Sequence, residues 1–244
     1  MEWSSPPLEL RLLANEVHVW RVKLDQLIEQ VPLLEPLLST EEQVRAKRFR
    51  FDLHRSRFIV SRGYLRKILA CYLNLQPDQI TFGYRARGKP FLAMSTEISF
   101  NVSHSAGLAL YAIAPHRQVG IDVEQVRAIA ATEIANRFFA PSEQATLQSQ
   151  APDQQQATFF RYWTCKEAYL KATGEGLAQA LDQIEISLNL EAPAQLLKIA
   201  GDPQIAKQWA IQELIPDAGY VGAIAVEGTD WHPVFWDGSG LGGT

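Results

Sequence analysis

The sequence predicts an α+β fold built from two similar halves. Three observations support this prediction: each half begins with an alternating apolar strand, continues through a helix start into a long helix, and ends in a buried apolar strand. The matching segments, first half before second, are 17–22 and 119–124, 39–43 and 141–144, 64–66 and 169–171, 79–84 and 183–188, and 106–114 and 218–226. Five matches in one order favour duplication over the strand–helix recurrence that α+β chains show anyway.

The two halves are predicted to meet at 115–118, where a proline and polar residues interrupt the apolar pattern. This boundary gives an N-terminal α/β half at 1–117 and a C-terminal α/β half at 118–230. Residues 231–244 end in WDGSGLGGT, and because glycines oppose ordering, we expect a flexible tail there.

The composition favours an ordinary globular protein and excludes several functional classes. The chain has 244 residues, of which 47% are hydrophobic, and a formal net charge of −4. It has no long basic run, so bulk nucleic-acid binding is not expected. The N-terminus lacks a signal-peptide pattern and the apolar runs are too short to span a bilayer, so no membrane partner is expected. Two cysteines exclude a disulfide framework and favour a cytoplasmic location.

Two carboxylates share one face of the strand VGIDVEQ. Asp122 and Glu124 are two residues apart and therefore project from the same side, while the valines and the isoleucine take the opposite side toward a core. Neighbouring carboxylates repel each other unless a cation lies between them. The strand therefore has either a solvated face or a divalent-cation site made of oxygen ligands, and spacing alone leaves both open.

An acid and a base lie on the aromatic face of the second long helix. Phe159, Trp163, Glu167 and Lys171 recur every four residues, and Gly174 is a plausible C-cap. An exposed Glu–Lys pair at this spacing contributes only about 0.2–0.5 kcal/mol. Because Glu167 shares its face with aromatic residues, we favour an inward-facing acid, which needs a cationic partner.

Basic and hydroxyl side chains cluster in three other places. Ser103 and His104, in NVSHS between two apolar strands, are suited to hold a phosphate oxygen. Lys89 lies in the turn GKP and can reach an anion as a point charge, although such turns are usually just solvated. The segment 45–57 carries six cations in an acidic protein, which indicates a local anion site.

Four motifs together resemble the 4'-phosphopantetheinyl transferases of the surfactin-synthetase-activating type. That family carries a Gly-Lys-Pro turn, an Asn-x-Ser-His-Ser loop, a Gly-Ile-Asp-x-Glu strand and a Trp-x-x-Lys-Glu-Ala helix. In this chain the motifs stand at 88–90, 101–105, 120–124 and 163–168. The combination of the last two is specific, and the resemblance covers about 17–226.

The resemblance implies a pseudodimer of two similar α/β subdomains with the active site at their interface. It implies transfer of the 4'-phosphopantetheine arm of coenzyme A to a serine of an apo acyl or peptidyl carrier protein, with release of adenosine 3',5'-bisphosphate. The protein would be a monomeric, Mg²⁺-dependent enzyme whose partners are coenzyme A and the carrier protein.

The resemblance also implies roles for individual residues. Asp122, Glu124 and Glu167 would bind Mg²⁺. Glu167 would also be the candidate general base, and it is expected to stay ionised because a metal and Lys171 would both lie near it. Lys171 would assist the leaving group. The coenzyme A contacts would be Arg45, Arg57, Lys89, Ser103, His104 and Lys171. Glu42 stands where the family prototype has a lysine, so the upstream contacts depart from the family pattern.

Two alternatives lie outside this interpretation. A coenzyme A or nucleotide binding module without catalysis, or a transferase acting on another acyl-CoA, would keep the basic turn and the Ser-His loop without needing the three acids together. A duplicated scaffold whose acids are surface groups would tolerate their loss. The sequence does not distinguish the carrier pathway, nor Mg²⁺ from Mn²⁺.

Overall fold

The fold combines α-helices and β-strands that follow one another in groups along the described residues. The computed structural model describes residues 1–174, 181–189 and 192–242. Its strands are β1 (Glu16–Lys23), β2 (Phe82–Tyr84), β3 (Pro90–Leu92), β4 (Ile98–Ser105), β5 (Leu108–Pro115), β6 (Val119–Gln125), β7 (Ile184–Asn189), β8 (Ala192–Ile199), β9 (Trp209–Leu214), β10 (Tyr220–Glu227) and β11 (His232–Asp237). Its α-helices are α1 (Val31–Leu34), α2 (Thr40–Ala46), α3 (Asp52–Leu73), α4 (Ala131–Phe138), α5 (Pro141–Ser149), α6 (Pro152–Thr173) and α7 (Pro203–Ala206).

The two halves repeat one arrangement of elements, which confirms the predicted α+β duplication. In the first half β5 lies between β1 and β4 and is antiparallel to both. In the second half β10 lies between β6 and β9 in the same way. A smaller hairpin follows the long helix in each half, β2–β3 after α3 and β7–β8 after α6. Both long helices have 22 residues.

Both long helices also end in the same way. The residue after α3, Asn74, has φ 52°, and the residue after α6, Gly174, has φ 76°, so each adopts the left-handed conformation that closes a helix. Each amide donates to the carbonyl four residues earlier, in Ala70 and Leu170. The predicted C-cap at Gly174 is confirmed. None of the described helices is long and apolar enough to cross a membrane.

Three apolar clusters hold the fold together. The first packs α3 on the first-half sheet around the buried Trp20 and Tyr64, and the second packs α6 on the second-half sheet around Phe159. The third lies between the two sheets and includes Leu110 from the first half and Ile121 from the second. This third cluster joins the halves, and it brings β4 beside β6. The division at 1–117 and 118–230 stays our prediction, with 115–118 at the passage from β5 to β6.

The prediction of a flexible tail from residue 231 is wrong for the described part of that segment. β11 pairs in parallel with β1, and a short 3₁₀ helix at Gly238–Gly242 follows. Arg21 binds Asp237 with two hydrogen bonds of 3.0 and 2.9 Å, and Trp236 packs on the first-half core. The glycines begin only after the apolar run of β11, and that run supplies enough buried surface to order the strand. Residues 243–244 lie outside the described residues.

Candidate active site

The centre of the candidate site is the contact between β4 of the first half and β6 of the second. The Asn101 side-chain oxygen accepts a hydrogen bond of 2.9 Å from the amide of Ile121. The Ser103 hydroxyl lies 2.8 Å from Oδ1 of Asp122. One residue beyond Asp122, the apolar Val123 packs into the cluster between the sheets. Asp122 therefore faces away from that cluster, as the alternating pattern predicts.

Glu124 lies on β6 like Asp122, and it is also held by a serine of β4. The Ser105 hydroxyl lies 2.7 Å from Oε2 of Glu124, and Arg127 adds a contact of 3.2 Å to the same oxygen. Asp122 and Glu124 thus lie on one side of β6, each bonded to a serine of β4. The predicted sharing of one strand face by the two acids is confirmed.

Gly120 lets helix α6 approach β6 at backbone distance. A Cβ atom built on Gly120 would overlap the carbonyl oxygen of Ala168 and the amide nitrogen of Ala172. Only glycine fits there, which gives a physical reason for the glycine in the motif GIDVE. The close approach brings the α6 face that carries Glu167 and Lys171 onto the acidic side of β6.

Lys171 connects the helix to the strand. Its ammonium group lies 2.6 Å from Oδ1 of Asp122 and 2.8 Å from the Ser103 hydroxyl. The Lys171 side chain keeps 29% of its surface exposed, whereas that of Asp122 keeps 5%. Burial raises the pKa of Asp122, and the Lys171 charge and the Ser103 hydroxyl oppose this shift. A buried acid bound by a half-exposed base therefore forms one wall of the site.

Glu167 is an inward-facing acid, as the aromatic helix face predicts. It is half-buried, and its Oε1 atom is buried with no hydrogen-bond partner among the described residues. Burial raises the pKa of Glu167 to about 7, the negative charge of Asp122 adds to the shift, and the positive charge of Lys171 opposes it. Glu167 in the chain alone is therefore close to half protonated at neutral pH, and the expectation that it stays ionised beside a bound metal stays a prediction.

The convergence of the three acids on one ion stays a prediction. Across the described ranges 1–174, 181–189 and 192–242, no three acidic, histidine or cysteine side chains lie close enough together to hold a metal. Lys171 contacts one oxygen of Asp122, and Ser105 and Arg127 contact one oxygen of Glu124.

The donor set nevertheless fits a divalent cation. Oδ2 of Asp122 and Oε1 of Glu167 are buried carboxylate oxygens that have no hydrogen-bond partner in the part of the chain that the structure describes. Buried carboxylate oxygens without partners are costly unless a cation or a proton satisfies them. Mg²⁺ prefers such oxygens and needs only one or two carboxylates, because it retains several waters.

A basic cleft adjoins this acidic wall. We use the name basic cleft for the space whose polar lining is Arg45, Ser61, Arg62, Tyr84, Ser103, His104 and Lys171. His104 is exposed in it, and its pKa is lowered first by the desolvating walls and then by the charge of Lys171. Arg45 lies 5.2 Å from the ring centre of Phe58. The structure therefore brings four of the predicted anion-binding residues, Arg45, Ser103, His104 and Lys171, to one place.

An acid cavity adjoins the basic cleft. It shares Gly88, Pro90, Val102 and Lys171 with the cleft, and its further lining is Arg87, Lys89, Asn101, Glu167, Leu170 and Gly174. Lys171 therefore lines both spaces, and Glu167 is the acid that lines the second one.

Two predicted coenzyme A contacts are engaged elsewhere. The Arg57 guanidinium makes two hydrogen bonds of 2.7 Å to Asp25 and does not line the basic cleft, so its coenzyme A contact stays a prediction that this geometry does not support. Lys89 donates to the carbonyls of Val119 at 3.1 Å and Ala172 at 2.7 Å. Lys89 also lines the acid cavity, but its ammonium group ties the turn to β6 and α6.

Arg62 is the cleft residue that sequence reasoning missed. It lies one helical turn after Phe58, which also lines the cleft, and that spacing was the available signal. Its guanidinium binds Oε1 of Glu42 at 2.6 Å, and Arg66 binds Oε2 of the same carboxylate at 2.9 Å. Glu42 is buried, and its carboxylate holds the two arginines in place.

The family follows from comparison with known proteins. A family model described as the 4'-phosphopantetheinyl transferase superfamily matches residues 118–225, and one described as the N-terminal part of 4'-phosphopantetheinyl transferase matches 20–116. The chain belongs to the 4'-phosphopantetheinyl transferase superfamily, and the resemblance seen in the motifs is confirmed.

Curated relatives match over most of the chain. The chain is 48% identical over 238 residues to the 4'-phosphopantetheinyl transferase HetI of Nostoc sp., which covers 96% of this chain and 97% of that relative. It is 35% identical over 168 residues to the 4'-phosphopantetheinyl transferase psf-1 of Bacillus pumilus, covering 69% of this chain and 71% of that relative.

Solved structures are similar over less of the chain. The Thermotoga maritima holo-[acyl-carrier-protein] synthase has a TM-score of 0.36 at 20% identity, covering 46% of this chain and 62% of that one. A Chronobacterium ammoniagenes ACPS–CoA complex has a TM-score of 0.36 at 17% identity, covering 46% of this chain and 98% of that one.

Proposed function

We propose that this chain transfers the 4'-phosphopantetheine arm of coenzyme A to a serine of an apo acyl or peptidyl carrier protein, releasing adenosine 3',5'-bisphosphate. The observation that supports this most is the position of Lys171. Its ammonium group binds Asp122 at 2.6 Å, and Lys171 lines both the basic cleft and the acid cavity that contains Glu167. A phosphate in the cleft and a hydroxyl in the cavity would therefore meet at Lys171.

The basic cleft is proposed to bind the phosphates of coenzyme A. Arg45, Arg62, His104 and Lys171 present donors from three helices and a strand, and the two halves both contribute. The lowered pKa of His104 leaves it neutral near pH 7, and a bound phosphate would favour its protonated form. Fixed cations of this kind stabilise the charge that develops when a pyrophosphate bond breaks.

Glu167 is proposed to accept the proton of the carrier serine. Its pKa of about 7 lies near the operating pH, where a general base is most effective. Lys171 is proposed to contact the phosphates and to stabilise the departing adenosine 3',5'-bisphosphate, since its side chain is half-exposed toward the cleft. General acid–base groups of this kind contribute about 10²–10⁴-fold.

Mg²⁺ is the proposed metal, and Asp122, Glu124 and Glu167 are the residues that would hold it. A bound divalent cation would supply charge neutralisation at the pyrophosphate oxygens. The support is the pair of buried carboxylate oxygens without partners described above. A monomeric state and a cytoplasmic location are proposed with it, and both cysteines are free, Cys71 exposed and Cys165 buried.

The experiment is a transfer reaction read by mass spectrometry. The protein is incubated with coenzyme A, Mg²⁺ and several apo carrier proteins, and the carriers are weighed. We expect a gain of one phosphopantetheinyl group, lost with chelator and with Glu167→Gln. Glu133→Gln, an exposed acid of α4, is the matched control and should transfer normally.

The other outcomes separate the alternatives. Binding of coenzyme A without a mass gain on any carrier indicates a binding module. Normal transfer by Glu167→Gln or without divalent cations rejects the assigned roles. Neither binding nor transfer indicates a duplicated scaffold whose acids have no chemical role.

A further inference from the structure

We propose that Ser105 is a positioning residue that orients Glu124 for a divalent cation. The inference rests on the proposed function, because it concerns a side chain behind one of the proposed cation ligands. It begins from the geometry of a single hydroxyl group. Ser105 Oγ accepts a hydrogen bond of 3.2 Å from the amide of Gln125 and lies 2.7 Å from Oε2 of Glu124.

The amide fixes the direction of the hydroxyl proton. Because an amide nitrogen only donates, Ser105 Oγ must accept from Gln125, and its own proton is left for Glu124. The bond to an ionised carboxylate is of the stronger, charge-assisted kind. Ser105 therefore holds one oxygen of Glu124 in a defined place. The Ser105 and Arg127 contacts both reach Oε2 of Glu124 rather than Oε1.

The same arrangement occurs two residues earlier on both strands. The Ser103 hydroxyl binds Oδ1 of Asp122 at 2.8 Å, and Oδ2 of Asp122 is buried without a partner in the described chain. The spacing of two residues on β4 matches the spacing of two residues on β6. Each acid thus has one oxygen bound by a serine, and supporting groups orient ligands around a metal in this way.

These side-chain bonds have no backbone substitute. β4 is the edge of the first-half sheet and β6 is the edge of the second-half sheet, and no described ladder of backbone hydrogen bonds joins them. Asn101 adds a third contact of the same kind, through Ile121. The orientation of the β6 acids therefore depends on hydroxyls that belong to the other half of the chain.

Arg127 is the competing support for Glu124. Its contact to Oε2 is 3.2 Å, but 54% of its side-chain surface is exposed, so solvent and salt weaken it. The Ser105 bond is shorter and comes from a regular strand. We assign the orientation of Glu124 mainly to Ser105.

The test measures Mn²⁺ binding by the whole chain, with the free ion followed by electron paramagnetic resonance. Ser105→Ala should raise the dissociation constant about 10- to 100-fold, the usual cost of losing such a supporting group. Ser105→Thr keeps a hydroxyl and should bind nearly as the wild type. Ser142→Ala, which removes a 2.8 Å bond to Glu185 far from the site, is the matched control and should not change binding.

Turnover provides the second measurement. The Mg²⁺ concentration for half-maximal transfer should rise with Ser105→Ala by the same factor as the dissociation constant. In a Glu124→Gln background Ser105→Ala should have little further effect, because its partner is already changed. Thermal unfolding of each variant identifies losses that come from misfolding.

The outcomes distinguish a failure of the Ser105 proposal from a failure of the proposed function. If the wild type binds Mn²⁺ and Ser105→Ala binds it equally, the serine proposal is overturned and the proposed function stands. A folded Ser105→Thr variant that fails as badly as Ser105→Ala also overturns it. If the wild type neither binds Mn²⁺ nor transfers, the proposed function itself fails, and this proposal fails with it.

Discussion

Arg66 and Lys166 occupy the same position in two helices of equal length. Each is residue 15 of a 22-residue helix, since α3 starts at 52 and α6 at 152. Arg66 binds the buried carboxylate of Glu42 at 2.7 Å, and Lys166 binds the buried carboxylate of Glu143 at 2.7 Å. Both glutamates also accept a bond from the amide three residues earlier, at the start of their short helix. The duplicated unit thus has a duplicated buried ion pair.

Lys166→Met should destabilise the protein strongly. The variant leaves Glu143 buried without its cation, and breaking a buried pair costs roughly 3–5 kcal/mol. The measurement is the free energy of unfolding in urea. Glu143→Gln combined with Lys166→Met should recover part of the loss, since no uncompensated charge remains. Lys198→Met is the control, because Lys198 is an exposed lysine that pairs with Glu185 at 3.5 Å. If Lys166→Met lowers the free energy of unfolding by less than Lys198→Met does, the prediction is wrong.

Lys171→Met should reduce transfer by at least about 100-fold, because a fixed cation at the reacting phosphates is removed. Steady-state rates at saturating coenzyme A measure this. Unfolding is recorded alongside, since Asp122 loses its counter-ion. Cys71→Ala is the control, because Cys71 is residue 20 of α3 as Lys171 is residue 20 of α6, and Cys71 is exposed. Full activity of a folded Lys171→Met protein rejects the role.

Gly238→Ala should destabilise the docking of the C-terminal segment. A Cβ on Gly238 would lie 2.8 Å from the Val22 side chain, and overpacking of this kind costs typically about 1–3 kcal/mol. Gly240→Ala has no atom within 4 Å of the added carbon and serves as the matched control. Urea unfolding compares the two variants. Equal stabilities for both would show that residues 238–242 do not pack on β1.

Lys89 should make stability rise with pH above neutrality. Burial lowers the pKa of Lys89 from 10.5 to about 8, and the charge of Arg85 adds to the shift. Between these two values the unfolded chain holds a proton that the folded chain has released, so the free energy of unfolding increases with pH. One proton contributes at most about 1.4 kcal/mol per pH unit.

The measurement for Lys89 is a comparison with Lys89→Met. Urea unfolding of both proteins is recorded at several pH values from about 7 to about 10. The wild type should gain stability relative to the variant across this range. A constant difference between the two proteins would mean that Lys89 keeps an ordinary pKa in the folded state.

The hydrophobic periodicity and the order of the motifs were sufficient to predict the helices and strands that have a local sequence pattern. The alternation in β6 correctly placed Asp122 and Glu124 on one face, and the four-residue spacing in α6 correctly turned Glu167 inward. These patterns work because strand and helix geometry fix side-chain directions within a few residues. The duplication was visible for the same reason, since both halves repeat local signals.

Contacts between segments that are far apart in the sequence could not be predicted from these local patterns. Arg57 was expected at an anion site, yet Asp25 takes its guanidinium, and nothing in the local sequence signals that partner. Likewise, Ser105 meets Glu124 only because two sheet edges adjoin. The glycines after β11 suggested disorder, whereas a strand far away in the sequence orders the segment. Each of these depends on tertiary packing, which a single sequence does not specify.

The first half keeps the frame of the site without its acids. Trp20 pairs with Tyr111 as Asp122 pairs with Ala223, and Val22 stands where Glu124 does. Gly238 of the C-terminal segment lies against Trp20 and Val22. The first half therefore has an indole and a methyl group at the two positions where the second half has carboxylates. After the duplication, these equivalent positions have thus diverged into a packing role in the first half and an acidic role in the second. Substitutions at 20 and 22 should lower the free energy of unfolding, whereas substitutions at 122 and 124 should lower the transfer activity.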